Sequence, residues 1–230
     1  CASCGVIVSV NNTLYGHPVK TFGTHEQKLE YLTPVAGGQV EGCYGLTESG
    51  AGSDAASLKC RAELKGDKYI VNGAKTFITN GPVARYCVLA ATTDPSIGYK
   101  GVINLIVDMK NTPGFKVGKI EEKMGILASG TSELIFEDAE VPAANLLGKT
   151  GQGFQQMMAG LNAGRIGIGA QACGIGRAAL EDALASAKER VQFGKPIGTF
   201  QLTQKKLAEM ITEITKAQLL TWRLGVLRNE

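Results

Sequence analysis

The sequence of 230 residues predicts a multidomain α and β chain, helical at its start, β-rich in its middle and helical again at its end. Three observations carry this. Helix-like runs cover the first fifteen residues and Thr24 to about Leu32, the second with an N-terminal capping signal. Short apolar or alternating runs follow between Cys43 and about Val141, punctuated by Gly, Asp, Asn and Pro. Beyond Gly151, apolar residues recur at intervals of three and four, the spacing of one helix face. The expected organisation is 1–42 as the end of an N-terminal helical domain, 43–147 as a middle β-barrel or sandwich domain, and 148–230 as the first helices of a C-terminal helical bundle.

The first fifteen residues predict a short helix. A second is expected from Thr24 to about Leu32, because Thr24-His25-Glu26-Gln27 places a capping Thr three positions before Gln. This helix is expected to stop at Thr33-Pro34. In the middle, Tyr69-Ile70-Val71, Phe77-Ile78-Thr79, Cys87-Val88-Leu89-Ala90, Val102 to Val107 and Leu134-Ile135-Phe136 predict strands, with turns at Lys65-Gly66-Asp67-Lys68 and Thr112-Pro113-Gly114. After Gly151, the face Phe154, Met157, Met158, Leu161, Ile168, Ala172, Ile175 and Ala179 predicts one long helix. Its glycines, Gly164, Gly169 and Gly176 among them, each cost up to about 1 kcal/mol against Ala, so close packing against a neighbour or ligand is expected there. A break at Phe193-Gly194-Lys195-Pro196 precedes a second helix with Leu207, Met210, Ile211, Ile214 and Ala217 on one face, and the sequence is expected to stop inside or just after that helix. Amphipathic helices without partners read as a chain truncated at both ends.

Composition excludes several function classes. A net charge of +3 without a basic run gives no footprint for nucleic acid or an anionic membrane, and no apolar run approaches the roughly 20 residues of a membrane-spanning helix. The start lacks the basic-then-apolar order of a secretion signal. The six cysteines predict reduced core thiols rather than a disulfide framework. Cys1 and Cys4 form half a zinc motif with no second half, and His17 and His25 are expected in a polar connecting region, so no metal is expected.

The chemistry concentrates in Tyr44-Gly45-Leu46-Thr47-Glu48-Ser49-Gly50-Ala51-Gly52-Ser53-Asp54. Gly50 and Gly52 allow close approach of backbone to a ligand, and Thr47 and Ser53 add hydroxyls. The run is neither a phosphate-binding loop followed by Gly-Lys-Ser/Thr nor a dinucleotide-binding turn opening a helix. On its own it is equally a Gly-rich hairpin.

Its full pattern from Gly45 to Ser57 resembles the first signature of the acyl-CoA dehydrogenase family. Asn72-Gly73-Ala74-Lys75-Thr76-Phe77-Ile78-Thr79-Asn80 is similar to that family's second flavin-contacting strand. Phe136-Glu137-Asp138-Ala139-Glu140-Val141-Pro142 resembles the strand closing its middle domain. Arg190-Val191-Gln192-Phe193-Gly194 with Gln201 resembles the turn between helices that reaches a neighbouring subunit's FAD. The resemblance therefore implies an acyl-CoA dehydrogenase-like fold, FAD as cofactor and a homotetramer.

Residue by residue, the resemblance implies that Tyr44, Leu46, Thr47, Gly52 and Ser53 line the flavin and its pyrophosphate. Thr47 would bond the pyrimidine edge, and Ser53 would also lie near the acyl-CoA. Phe77, where the family often has Trp, would pack on the isoalloxazine, with Ile78 beside it and Thr79 donating its hydroxyl toward flavin N5. The alternative reading of the residues alone has Tyr44 and Leu46 as strand core, Phe77 as a core aromatic and Thr79 as an ordinary strand residue. Arg190 would bind the pyrophosphate of a neighbour's FAD, with Gln192 and Phe193 nearby and Gln201 at the adenine end; alternatively Arg190 is a solvated charge closing a helix. Asn162-Ala163-Gly164-Arg165 resembles the segment that meets acyl-CoA, which makes Asn162 and Arg165 substrate-binding candidates. Many relatives have Asp where Asn162 stands.

The family reaction removes an α-proton from an acyl thioester while a β-hydride moves to flavin N5, giving a trans-2-enoyl-CoA. One branch carries its base immediately before the position of Arg165, where this chain has Gly164. The other carries a Glu in a later helix, expected beyond Glu230. Glu181, Glu189, Glu209 and Glu213 read as surface carboxylates, so no catalytic residue is named. Similarity to the butyryl-CoA dehydrogenases runs through Gly5 to Asn12, Asn162 to Gly169 and Leu219 to Arg223, and implies a short acyl chain. The electron acceptor implied is an electron-transferring flavoprotein, and the expected location is a bacterial cytoplasm ahead of a mitochondrial matrix. An acyl-CoA oxidase-like relative and an FAD or acyl-CoA binding module without turnover are the alternatives.

Overall fold

The computed structural model describes residues 1–229; Glu230 lies outside them. The chain divides into two compact units, one spanning Ser3–Gly164 and one beginning at Arg165.

In the first unit, helix α1 (Ala2–Ser9) runs into a π-helical stretch (Val10–Gly16) and α2 (His17–Phe22). Next come α3 (His25–Gln27), a second π-helical stretch (Lys28–Leu32) and α4 (Thr33–Ala36). The capping box forms, since Thr24 Oγ1 accepts from Gln27 N at 3.2 Å and Gln27 Oε1 accepts from Thr24 N at 3.0 Å. Two helical expectations are corrected. His17 and His25 lie in helices rather than in a connection, and Thr33-Pro34 does not end the segment. Pro34 falls in the first turn of α4, where a missing N–H costs nothing, and the helix stops at Gly37 instead.

Seven strands form one sheet: β1 (Gly42–Gly45), β2 (Arg61–Lys65), β3 (Lys68–Thr79), β4 (Tyr86–Thr92), β5 (Val102–Asp108), β6 (Phe115–Ile120) and β7 (Thr131–Pro142). One side of β4 pairs antiparallel with β5. Along its other side run first β1, in parallel with Gly42 opposite Tyr86, and then the start of β2, with Arg61 opposite Thr92. From β2 the sheet continues through β3 and β7 to β6, all antiparallel.

β4 and β5 are buried on both faces, and alternation along them supplies two cores. Cys87, Leu89, Leu105 and Val107 enter a core with Cys43, Cys60, Leu134 and Phe136. Val88 and Ile106 face the helices, against Tyr15, Val19, Tyr31 and Val35. Tyr15 is fully buried and donates from Oη to the Tyr31 carbonyl at 2.9 Å. A side chain at Gly42 would strike its ring, which is how the helical layer comes to lie directly on β1. Asn11 Oδ1 accepts from Gly42 N at 2.7 Å across the same contact.

Helix α5 (Gly153–Glu189) begins in the first unit and continues into the second. There a hairpin of β8 (Val191–Gln192) and β9 (Lys195–Pro196) leads to α6 (Gln201–Asn229). α5 and α6 meet at the glycines: a Cβ on Gly169 would lie 3.5 Å from Thr221 Oγ1, and one on Gly176 would lie 3.6 Å from Ile214 Cγ1. Of the expected apolar faces, Met157 is buried with Phe154, Met158 and Leu161 packed around it, whereas Ile168, Ile175 and Ile211 are exposed, as are Leu219 and Trp222 on α6.

All six cysteines are free thiols, but only Cys43, Cys60 and Cys87 are core residues. Cys1 and Cys4 are exposed and Cys173 is half-buried, which corrects the expectation of core thiols throughout. Among the described residues no helix is long and apolar enough to cross a membrane, and no cluster of His, Cys, Asp or Glu could hold a metal.

Candidate functional site

The Gly-rich stretch leaves the end of β1 and turns back on itself. Glu48 N donates to the Ala51 carbonyl at 2.9 Å and Ala51 N to the Glu48 carbonyl at 3.2 Å, a closed turn that displays Ser49 and Gly50. Gly52, Ser53 and Asp54 follow, all exposed. A Cβ added at Gly50 or Gly52 would meet nothing within 4 Å, so no internal packing demands glycine at either position. The loop is bonded to β3, where Thr76 N donates to the Thr47 carbonyl at 2.8 Å.

Beneath it lies an ion pair that the sequence reading did not single out. Lys75, fully buried, places Nζ 2.6 Å from Glu48 Oε1 and donates to the Leu46 carbonyl at 3.0 Å. The same carboxylate accepts from Lys59 N at 2.7 Å and Cys60 N at 3.0 Å. The available signal was a lone Lys inside a strand that otherwise turns apolar residues to the core. Burial pushes the Glu48 carboxyl up, but the Lys75 ammonium and the two amides outweigh it and hold it below the usual Glu value.

β3 breaks register with β7 between Lys75 and Ile78. Inside this bulge Phe77 has φ 59°, the left-handed region, and its residue is 65% exposed. A core aromatic is therefore excluded at Phe77. Ile78 is a core residue, so its side chain does not reach the surface, and Thr79 next to it is half-buried. Asn80, also at positive φ, is buried and donates from Nδ2 to the Gly42 carbonyl at 3.2 Å. Tyr44 and Leu46 are half-buried and pack against core clusters, so they support the surface more than they form it. Tyr44 Oη and Thr76 Oγ1 are buried without a hydrogen-bond partner among the described residues, and burial raises the Tyr44 hydroxyl well above its ordinary value. The structure thus brings Thr47, Gly52, Ser53, Phe77 and Thr79 onto one bonded framework, with Tyr44, Leu46 and Ile78 behind it.

In the second unit, Arg190 directly follows α5 and is exposed. Its N–H donates to the Ser186 carbonyl at 2.9 Å and its carbonyl accepts from Ile197 N at 2.8 Å. Gln192 pairs with Lys195, and Phe193 (φ 53°) with Gly194 (φ 75°) makes the tight turn between β8 and β9. The Phe193 residue is 94% exposed, with its ring edge-on to Phe200 at a centroid distance of 6.2 Å. Gln201, the first residue of α6, is exposed.

Asn162, in the first unit, and Arg165, in the second, are both exposed on α5. Gly164 is buried, and a Cβ there would already stand 3.3 Å from Leu14 Cδ2. A carboxylate at that position would have to displace Leu14. Glu181, Glu189, Glu209 and Glu213 are exposed; Glu181 pairs with Arg177 at 2.8 Å and Glu213 with Lys216 at 2.5 Å.

Three family models match in chain order: the acyl-CoA dehydrogenase N-terminal domain over residues 1–39, the middle domain over 43–139 and the C-terminal domain over 151–229. The chain belongs to the acyl-CoA dehydrogenase family. It is 50% identical to an acyl-CoA dehydrogenase of Bacillus subtilis (strain 168), over 99% of this chain and 60% of the relative. It is 46% identical to the mitochondrial short-chain specific acyl-CoA dehydrogenase of Rattus norvegicus, over the whole of this chain and 55% of the relative. The chain therefore spans 55–60% of the length of these curated acyl-CoA dehydrogenases.

Among solved structures, butyryl-CoA dehydrogenase from Megasphaera elsdenii aligns with a TM-score of 0.94 at 44% identity, over 96% of this chain and 58% of that one. A structure reported with the electron transferring flavoprotein of Acidaminococcus fermentans aligns at 0.96 with 49% identity, over 99% and 60%. A glutaryl-CoA dehydrogenase from Mycobacterium smegmatis in complex with FADH2 aligns at 0.91 with 37% identity, over 97% and 56%. The fold is thus the acyl-CoA dehydrogenase fold, with N-terminal helices, a middle β-sheet and C-terminal helices.

Proposed function

We propose that the protein containing this chain is an FAD-dependent dehydrogenase that converts a short-chain acyl-CoA to its trans-2-enoyl-CoA and passes the electrons to an electron-transferring flavoprotein. The observation that carries this reading is the framework on which the open Gly50–Ser53 turn is bonded, through the Thr47 carbonyl and Thr76 N, to the stretch of β3 that holds the exposed Phe77 and, two residues on, Thr79. Its chemistry fits a flavin. A turn without Cβ atoms at Gly50 and Gly52 lets a flat polar ligand approach the backbone, and an exposed aromatic ring offers an apolar wall. The orphaned Thr76 hydroxyl adds an unused polar group within the framework.

Bound FAD supplies a two-electron acceptor. The residues of this chain bind and orient. Thr47 and Ser53 offer hydroxyls at the loop, Phe77 keeps water from one face, and the Thr79 hydroxyl donates a hydrogen bond toward the accepting nitrogen. Asn162 and Arg165 supply polar groups for the acyl-CoA on α5. Arg190, with Gln192, Phe193 and Gln201, offers a guanidinium and an exposed ring for the FAD of a neighbouring subunit in a homotetramer. The short-chain and butyryl-CoA relatives support the substrate class, and the structure reported with an electron transferring flavoprotein supports the acceptor. Location in a bacterial cytoplasm or a mitochondrial matrix accords with the sources of these relatives.

The test is made on the complete protein. It should carry a flavin spectrum that bleaches anaerobically with butyryl-CoA and recovers when an electron-transferring flavoprotein is added. Absence of flavin, or bleaching only with long-chain thioesters, would overturn the cofactor or the substrate respectively. Thr79→Ala should slow bleaching about tenfold or more while the dissociation constant for a CoA thioester changes little; unchanged stopped-flow kinetics would remove Thr79 from the reacting nitrogen.

A further inference from the structure

We propose that Glu48 and Lys75 are a positioning pair that pre-forms the flavin-facing loop, fixing the Gly50–Ser53 turn against the β3 bulge before any cofactor arrives; this rests on the flavin reading above.

Geometry carries the inference. Glu48 opens the exposed turn, yet its side chain points down into the protein, where three donors converge on one carboxylate: Lys59 N, Cys60 N and Lys75 Nζ. The first two belong to the chain leaving the loop toward β2. The third belongs to β3, two residues before Phe77. Lys75 also holds the Leu46 carbonyl, on the chain entering the loop. Entry, turn, exit and bulge are therefore joined through two side chains, both out of solvent contact or nearly so.

Such a pair is a poor choice for stability alone, because desolvating two charges often costs what their attraction returns, and apolar replacements of similar size are frequently neutral. What it provides is direction. A carboxylate with three donors admits few loop conformations, whereas apolar contacts would admit many. Neither residue has a surface from which to touch a ligand, so both act through the loop.

The experiment uses the complete protein stripped of flavin. Glu48→Gln combined with Lys75→Met removes both charges and keeps one side-chain acceptor; Lys59 N bonds Oε2 and Cys60 N bonds Oε1, so one of these two amides faces the Gln NH2 group and loses its partner. The control is Val71→Ala, a core residue of the same sheet outside the loop. The positioning role predicts that the double variant stays folded, melting no lower than Val71→Ala, yet binds FAD about tenfold more weakly and shows a shifted flavin absorption band. Val71→Ala should melt lower and keep its FAD affinity. Wild-type affinity and band shape in the double variant would overturn the proposal while leaving the flavin reading intact; a wild-type protein unable to bind FAD would overturn the flavin reading itself, and the proposal with it. If the double variant does not fold, hydrogen exchange on the flavin-free wild type decides. Protected amides at Lys59, Cys60 and Thr76 support a pre-formed loop, and free exchange that slows only on adding FAD overturns it.

Discussion

Phe77 occupies left-handed backbone and turns an aromatic ring to solvent, two unfavourable choices at one position. Left-handed φ costs a non-glycine residue about 1–2 kcal/mol. Phe77→Gly should therefore raise the melting temperature by a few degrees while weakening FAD retention, a trade that calorimetry and flavin release would read together. A variant that lost stability would mean the ring packs usefully without ligand. At Glu48 the relevant variable is pH. Burial raises its carboxyl, and the Lys75 ammonium with the Lys59 and Cys60 amides lowers it further than burial raises it. A folded value below the unfolded one, about 4.3, means the stabilisation is complete above that value and is lost as pH falls through the folded one. The wild type should lose melting temperature between about pH 5 and pH 3 more steeply than Glu48→Gln; parallel curves would show that Glu48 is not a linked group.

At the scale of elements, the α5–α6 contact is set by absent side chains. A Cβ on Gly176 makes ordinary contact with Ile214, whereas a longer side chain must displace it. Gly176→Ala should be neutral or stabilising by up to about 1 kcal/mol, and Gly176→Leu destabilising by about 1–3 kcal/mol, measured by urea denaturation. The same contrast separates what was legible in the sequence from what was not. The Thr24–Gln27 cap, the long helix after Gly151 and the turn at Phe193-Gly194 are written within a few neighbouring residues, and each forms. The parallel pairing of β1 with β4 depends on residues far apart in the chain, and no local pattern announces it. Pro34 reads as a stop until the first turn of α4 shows that its missing N–H is harmless there. Phe77 reads as one more strand residue because a bulge, a matter of register against β7, decides which way it points. The loop was recognisable by its glycines and hydroxyls, while the Lys75–Glu48 anchor beneath it spans two elements that only the folded sheet brings together.

For the whole molecule, the proposed role of Arg190, with Gln192, Phe193 and Gln201, requires more than one copy. Arg190→Ala should loosen FAD and shift the assembly toward smaller species in analytical ultracentrifugation; unchanged flavin retention would leave it a solvated charge after α5. The sheet also imposes an order in time. β1 finds its parallel neighbour only when Tyr86–Leu89 exists, and Glu48 finds its ammonium only when Lys75 does. Pairings between distant residues must meet the entropy of closing the intervening chain before they return any stabilisation. As the polypeptide emerges from a ribosome, the helical layer and the Gly50 turn are made before the strands of this sheet on which they rest. The bulge at Phe77 is consequently among the last parts of this surface to mature, because its register is set against β7, and a nascent chain interrupted before Thr131 presents the turn with its Lys75 anchor but without the strand that shapes the bulge.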